Sequence, residues 1–328
     1  MKAAMVVEDR KMIVTDVEAP EPGEGQVRIQ VDLAGICGSD NGLFNGKFHV
    51  PFPVIGGHEA VGRIEKRGPG VAELPIGQRV TIHPNYFCGE CQPCRDGFTN
   101  ICKKKIRLGI DAAGVFAEYV VVPARQVFPV PDDLPDEKAV FAEPLSVIVH
   151  AMGLVPPQKG DNVLIFGAGV MGLIALQMAV QKQARVTACD LAEKRLAMAK
   201  KLGAADAIGP SSPRDAFANQ FNLIFETSGA PAALSEAIRL AAPRGKIVVL
   251  GLSSIEHPMA SEMIVRKELT IVGSMIYTDE FPKSLELLRQ DRIDTKALTS
   301  GRVSLEGLGQ ALADFASPDR IKTLVDIK

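Results

Sequence analysis

The chain has 328 residues, 46% of them apolar, which is long for a single core and sets an expectation of two domains. Its 37 basic residues against 39 acidic ones leave no cationic footprint for nucleic acid or for an anionic membrane surface. The first residues, MKAAMVVEDR, meet Glu8 and Asp9 before any apolar run can develop, so a cytoplasmic protein without a cleaved signal peptide is expected.

Residues 1 to about 150 read as short β-segments divided by turn dipeptides: Val27–Leu33, Ala60–Lys66, Arg79–Ile82 and Ala117–Val122, with Pro-Gly and Gly-Pro at 22–23 and 68–70. An antiparallel, partly open β domain is predicted. The first of these segments runs into Cys37-Gly-Ser39-Asp40, and Gly56-Gly57-His58-Glu59 follows before the second. Cysteine, histidine and carboxylate are the ligand types of a catalytic zinc with one open position, but each residue taken singly has an ordinary core or surface reading.

Four of the six cysteines then fall within fifteen residues, Cys88-x2-Cys91-x2-Cys94-x7-Cys102. In a reducing compartment such a cluster favours a metal over two disulfides. Each Cys-x2-Cys step lets two thiolates converge on one ion, and Gly89, Pro93 and Gly97 supply the chain reversals. An iron–sulfur cluster shares the two-residue intervals, but its fourth cysteine usually comes sooner. The expectation is a closed, structural Zn²⁺ site.

From about residue 153 strands alternate with helices: Val163–Phe166, Arg185–Cys189, Ala207–Ile208, Leu223–Glu226, Lys246–Leu250 and Leu269–Val272, with helical patterns at Glu193–Leu202 and Ala232–Ala242, the latter closed by Pro243-Arg244-Gly245. Six short strands with helical crossovers predict a doubly wound parallel sheet, an α/β fold beside the β-rich domain. Val163–Val180 is uncharged over eighteen residues, but its three glycines and the nearby Lys182 and Arg185 argue for a buried strand and helix over a membrane span. Gly167-Ala-Gly169-Val170-Met171-Gly172 follows a strand and opens a helix, the context in which GxGxxG cradles a dinucleotide pyrophosphate. Asp190 ends the second strand, where a carboxylate accepts from ribose hydroxyls and repels a 2′-phosphate; Arg195 sits a turn further on. NAD is expected over NADP. Cys189 reads as core, and His49, His83 and His257 carry no signal.

The chain resembles the zinc-dependent medium-chain alcohol dehydrogenases, in their polyol (sorbitol-like), threonine and butanediol branch. The resemblance covers essentially the whole length and rests on CGSD at 37–40, GHE at 57–59, the four-cysteine lobe, FAEYVVVP at 116–123, AEPLSV at 142–147 and GAGVMG at 167–172. It implies a GroES-like catalytic domain over 1–152 with the zinc lobe at about 86–105, a Rossmann domain over 153–284 and a return to the catalytic domain over 285–328. It also implies two zinc ions per chain. Cys37, His58 and Glu143 would ligate the catalytic one, with Glu59 an exchangeable or outer ligand and Ser39 the first member of the proton relay. Cys88, Cys91, Cys94 and Cys102 would hold the structural one. The implied reaction oxidises a small-molecule alcohol with hydride transfer to NAD, and the implied assembly is a homo-oligomer, a tetramer rather than a dimer.

Several positions depart from the family's pattern. Leu43 stands where sorbitol-type enzymes often have tyrosine, Gly42 replaces the liver-type relay histidine, and Ile276 with Tyr277 aligns with an arginine of the sorbitol-like enzymes. The expected pocket is more apolar, which argues against sorbitol itself and fits a smaller diol, a secondary alcohol or a differently placed sugar acid; the expected substrate class is a polyol, a vicinal diol or a sugar-derived alcohol. A hydroxy acid, a sugar acid or a threonine-like amino-alcohol is the alternative substrate, and a zinc-free reductase of the same fold or a zinc-ribbon regulator the alternative class.

Overall fold

The computed structural model describes every residue except 254 and 257, so His257 lies outside the described residues. The chain divides into two units, Met1–Glu143 with Phe281–Lys328, and Pro144–Glu280.

The first unit is built on a seven-stranded sheet. Its strands run in the order Val127–Pro129, Arg79–Ile82, Glu59–Arg67, Gln26–Gly35, Lys322–Asp326 and Thr299–Ser304, and Tyr119–Pro123 also pairs with Gln26–Gly35. Gln26–Gly35 shows why this segment is a strand: Val27, Ile29 and Val31 are fully buried, and the residues between them are half-exposed, which is the period of two. These side chains join Val120, Val122, Phe116 and Val325 in one core, where each contributes about 1.5–3 kcal/mol by burial. The C-terminal segment enters the same sheet, Leu324, Val325 and Asp326 pairing antiparallel with Gly35, Ala34 and Leu33. The last strand thus lies beside the strand that leads into Cys37.

The second unit is a six-stranded parallel sheet in the order Asp206–Ile208, Arg185–Cys189, Asn162–Phe166, Phe221–Glu226, Ala241–Val249, Thr270–Gly273. Numbered along the unit this is 3-2-1-4-5-6, the Rossmann order, with the switch point beside the first strand. The uncharged run 163–180 divides between the strand Asn162–Phe166 and the helix Val170–Gln181, with the chain turning at Gly167, φ 90°. Among the described residues no helix is long and apolar enough to cross a membrane. One expectation is corrected. The helix stops at Leu240 rather than Ala242, and Pro243-Arg244-Gly245 follow it within the strand range Ala241–Val249. Arg244 takes a left-handed φ of 60°, and the register with Phe221–Glu226 shifts between Phe221 and Leu223, so a bulge absorbs the turn-forming residues within the ladder.

Candidate metal centres and dinucleotide site

In the first unit, Cys37 caps the N-terminus of the short helix Gly38–Phe44 with extended backbone, φ −107° and ψ 164°. Asp40, at the third helical position, accepts from the Cys37 backbone N–H at 2.7 Å and from the Gly57 N–H at 3.2 Å. It thereby ties the cysteine loop to the histidine loop. Gly57 needs its left-handed φ of 87°, and a Cβ there would lie 2.7 Å from the Phe116 ring, so only glycine admits the turn that delivers His58. Cys37, His58 and Glu59 converge, one ligand atom of each lying within 4.8 Å of the others. His58 turns Nδ1 toward Asp40 Oδ1 at 3.3 Å, and Ser39 Oγ stands 3.5 Å from Nε2. Burial acts to lower the His58 pKa, yet the Asp40 carboxylate and the Cys37 sulfur outweigh it and hold it well above the ordinary 6.5. The pocket therefore favours a cation against the imidazole. Glu143 is buried in the first turn of Ala142–Leu154 and is not one of the three side chains that converge.

Two further residues belong to this centre. Asp40 is 3% exposed and orients both loops; its signal, an acid three residues after a helix cap, is local. Lys322 is fully buried and its ammonium meets Glu59 Oε2 across 263 residues of chain, a pairing with no sequence signature.

The four-cysteine lobe forms a second group. None of the six cysteines is joined in a disulfide. The lobe sulfurs stand 3.4, 3.6, 3.9 and 4.0 Å apart for the pairs 91–94, 88–102, 91–102 and 88–94. Four sulfurs bound tetrahedrally at about 2.3 Å from one Zn²⁺ would stand ~3.8 Å apart, so the donor set fits that ion. Backbone N–H groups already point at the sulfurs, Cys91 N at Cys88 Sγ and Lys104 N at Cys102 Sγ, at 3.4 and 3.3 Å. The N–H of Lys103, then that of Cys94, lower the Cys91 pKa, whereas burial and the neighbouring sulfurs raise that of Cys94.

In the second unit the fingerprint lies at the carboxyl end of the first strand, where doubly wound sheets bind their ligands. A Cβ at Gly172 would fall 1.7 Å from the Gly167 carbonyl oxygen, so this glycine lets helix and strand approach. Gly169 faces open space, with nothing within 4 Å of a built Cβ. That space lies at the N-terminus of Val170–Gln181 and leaves room for a pyrophosphate against bare backbone. Val170 and Met171 are half-buried in the first turn. Asp190 accepts from Ala168 N at 2.7 Å and from Ala192 N at 2.8 Å, which fixes the carboxylate at the end of the second strand. Arg195 is half-buried on Glu193–Lys201. Cys189 is buried, and its thiol is pushed up to about 11 by burial, as a core cysteine should be. His150, on Ala142–Leu154, places Nδ1 2.7 Å from Glu280 Oε1.

Known proteins share the fold of this chain. The family model of the alcohol dehydrogenase GroES-like domain matches residues 23–132, and that of the zinc-binding dehydrogenases matches residues 170–290. Galactitol 1-phosphate 5-dehydrogenase of Escherichia coli is 35% identical over 95% of this chain and 96% of its own. The RspB alcohol dehydrogenase structure from Escherichia coli, complexed with NADH, superposes with a TM-score of 0.94 at 33% identity over 99% of both chains. A zinc-binding dehydrogenase from Sinorhizobium meliloti, bound to NADP, gives 0.94 at 30% identity over 99% of this chain and 98% of that one. The chain belongs to the zinc-dependent medium-chain alcohol dehydrogenases, in the branch that includes polyol and threonine dehydrogenases.

Proposed function

We propose that the protein oxidises a secondary alcohol of the polyol or vicinal-diol class to a ketone, using NAD and a catalytic zinc ion. The observation that carries this reading is the meeting of the Cys37 thiol, the His58 imidazole and the Glu59 carboxylate within 4.8 Å, in a chain that also holds a dinucleotide fingerprint. When bound, zinc supplies a Lewis acid that acidifies the substrate hydroxyl, and NAD supplies the hydride acceptor. Cys37, His58 and Glu59, which converge, would hold the ion, and Glu143 is the further carboxylate assigned to it. Asp40, opposite Nδ1, keeps a proton on that nitrogen and leaves Nε2 as the donor atom. Ser39, 3.5 Å from Nε2, takes the hydroxyl proton outward. The balance is one hydride to the nicotinamide and one proton to water for each ketone formed.

Asp190 underlies the choice of NAD. Its carboxylate is fixed by two backbone N–H groups with lone pairs left for the ribose hydroxyls, and a 2′-phosphate there would meet a like charge. The relative named for galactitol 1-phosphate suggests polyols and their phosphates as the first substrates to try. The same reading makes the protein a cytoplasmic homotetramer whose partner is a small-molecule alcohol, and sedimentation tests the assembly. The decisive experiment is the initial rate of NADH formation across polyols, vicinal diols, hydroxy acids and simple secondary alcohols, with NADP in parallel and a phenanthroline-treated control. Chelator-sensitive, NAD-dependent turnover of one class is the expected result. Turnover that survives loss of the catalytic zinc would overturn the mechanism.

A further inference from the structure

Glu226 is a buried carboxylate, 2% exposed, at the carboxyl end of Phe221–Glu226. That strand lies across the switch point from the fingerprint strand, with Glu226 in register with Phe166 on one side and Val249 on the other. One oxygen, Oε1, accepts three hydrogen bonds: from the Ser228 N–H at 2.8 Å, the Gly229 N–H at 2.9 Å and the Ser228 hydroxyl at 2.5 Å. The carboxylate thereby folds the segment 227–229 back over its own strand end. That segment touches the fingerprint directly. The Thr227 hydroxyl donates to the carbonyl oxygens of Phe166 and Gly167, at 2.8 and 3.1 Å. A Cβ at Gly167 would stand 3.0 Å from Thr227 Oγ1 and 3.1 Å from Ser228 Cβ, so the loop is the wall against which the turn rests. On its other side the loop is closed by Gly251, where a Cβ would lie 2.1 Å from Gly229 N and 2.5 Å from Glu226 Oε2.

The position is a poor one for a negative charge in a protein that binds a dinucleotide. Burial penalises the carboxylate, and it stands at the end of the sheet to which an anionic pyrophosphate comes. Attraction to the cofactor therefore does not explain it, whereas geometry does. A glutamate oxygen reaches two successive N–H groups and a hydroxyl at once, so the loop cannot shift without losing one of those bonds. The loop in turn supports Gly167, where the chain turns toward Gly169 and Gly172. Moving it would displace the backbone assigned to the pyrophosphate.

We propose that Glu226 is a positioning residue for the dinucleotide, holding the loop 227–229 against the Gly167 turn so that the phosphate-binding backbone keeps its place. The inference rests on the dinucleotide reading above. It is tested on full-length, zinc-loaded protein with Glu226→Gln and Glu226→Asp, by titration calorimetry with NADH and by the Tm of each variant. Glu226→Gln keeps an acceptor oxygen in place and loses the charge. Glu226→Asp keeps the charge and withdraws the acceptor by one methylene, about 1.5 Å, out of reach of the Ser228 and Gly229 N–H groups. Glu226→Gln should bind NADH within about twofold of wild type, and Glu226→Asp about tenfold more weakly, the equivalent of one hydrogen bond to the pyrophosphate. A purely structural carboxylate would lower the Tm of Glu226→Asp and leave its NADH affinity unchanged where it is folded; that result would overturn the inference. So would the reverse order, with Glu226→Asp like wild type and Glu226→Gln weak, because charge and not position would then matter. Thr227→Val is a second probe, cutting the loop from the Gly167 carbonyl while the carboxylate keeps its bonds. It should bind NADH about threefold or more weakly. An unchanged affinity there would overturn the inference even where Glu226→Asp fails to fold. A folded wild-type chain that takes up no NADH would overturn the dinucleotide reading and this inference with it.

Discussion

Replacing Gly172 by alanine and, separately, Gly169 by alanine should separate the two jobs of the dinucleotide fingerprint. At Gly172 the new methyl would stand 1.7 Å from the Gly167 carbonyl oxygen and 3.0 Å from Ile165 Cγ2. Carbon and oxygen in contact stand at about 3.2 Å, so the helix Val170–Gln181 must move off its strand by roughly 1.5 Å. The obstacle is backbone, which cannot rotate away as a side chain can. Overpacking of this kind costs about 1–3 kcal/mol, and the upper end applies here, lowering Tm by about 10 °C for a unit of this size. At Gly169 nothing lies within 4 Å of the methyl, and φ is an ordinary −75°. The poorer helix cap and the stiffer unfolded chain roughly cancel, leaving stability within about 1 kcal/mol of wild type. The methyl points instead into the space assigned to the pyrophosphate, so NAD affinity should fall. Calorimetry gives Tm and titration calorimetry gives the NAD dissociation constant. A Gly172→Ala protein with wild-type Tm, or a Gly169→Ala protein that binds NAD as well as wild type, would refute the reasoning.

The other predictions concern separate parts of the chain. Cys91→Ser should lose one zinc equivalent by native mass spectrometry and unfold the lobe locally, while the cobalt spectrum of the catalytic site is retained. Tyr86→Phe should stabilise the first unit by about 1 kcal/mol, read as a higher urea midpoint. The Tyr86 hydroxyl is buried without a hydrogen-bond partner among the described residues, and burial raises its pKa. For Glu280, burial acts to raise the carboxyl pKa, but the hydrogen bond with His150 and the Thr278 N–H bring it below 4.5. A depressed folded pKa means that the stabilisation is present above the unfolded carboxyl range and is lost as pH falls through the folded value. Urea midpoints should therefore drop more steeply below about pH 5 in wild type than in Glu280→Gln, and parallel curves would remove this pair from the acid response.

The parts of the molecule legible in the sequence are those that the chain builds locally. Gly167–Gly172 and Asp190 work within one strand–helix–strand unit, so spacing and context sufficed to place them. The four lobe cysteines close a single loop, and their sulfurs meet as the spacing implies. Pro243-Arg244-Gly245 do interrupt the chain as turn residues should, since Phe221 pairs with Ala241 and Leu223 only with Lys246, but the helix before them ends at Leu240 rather than Ala242. Cys37 and His58 are ordinary taken singly and gained a role only through the resemblance of CGSD and GHE to the family's motifs. Their shared partner Asp40 did not, since an acid near a helix start has a capping role whether or not a metal is near.

Lys322 marks the limit most clearly. Nothing near it in sequence distinguishes it from a surface lysine on an edge, and its burial against Glu59 follows only from the order of strands in the sheet. Once Lys322–Asp326 lies beside Gln26–Gly35, with Glu59–Arg67 on the other side, the three segments that bear Cys37, Glu59 and Lys322 have nowhere else to converge than at the end where Gly35 leaves a gap. The return of the C-terminal chain to the first unit is thus more than the completion of a sheet. It carries the buried ammonium that pairs with the Glu59 carboxylate beside His58, so a substitution of Lys322, more than 280 residues from Cys37, leaves a buried charge unpaired at the candidate metal centre.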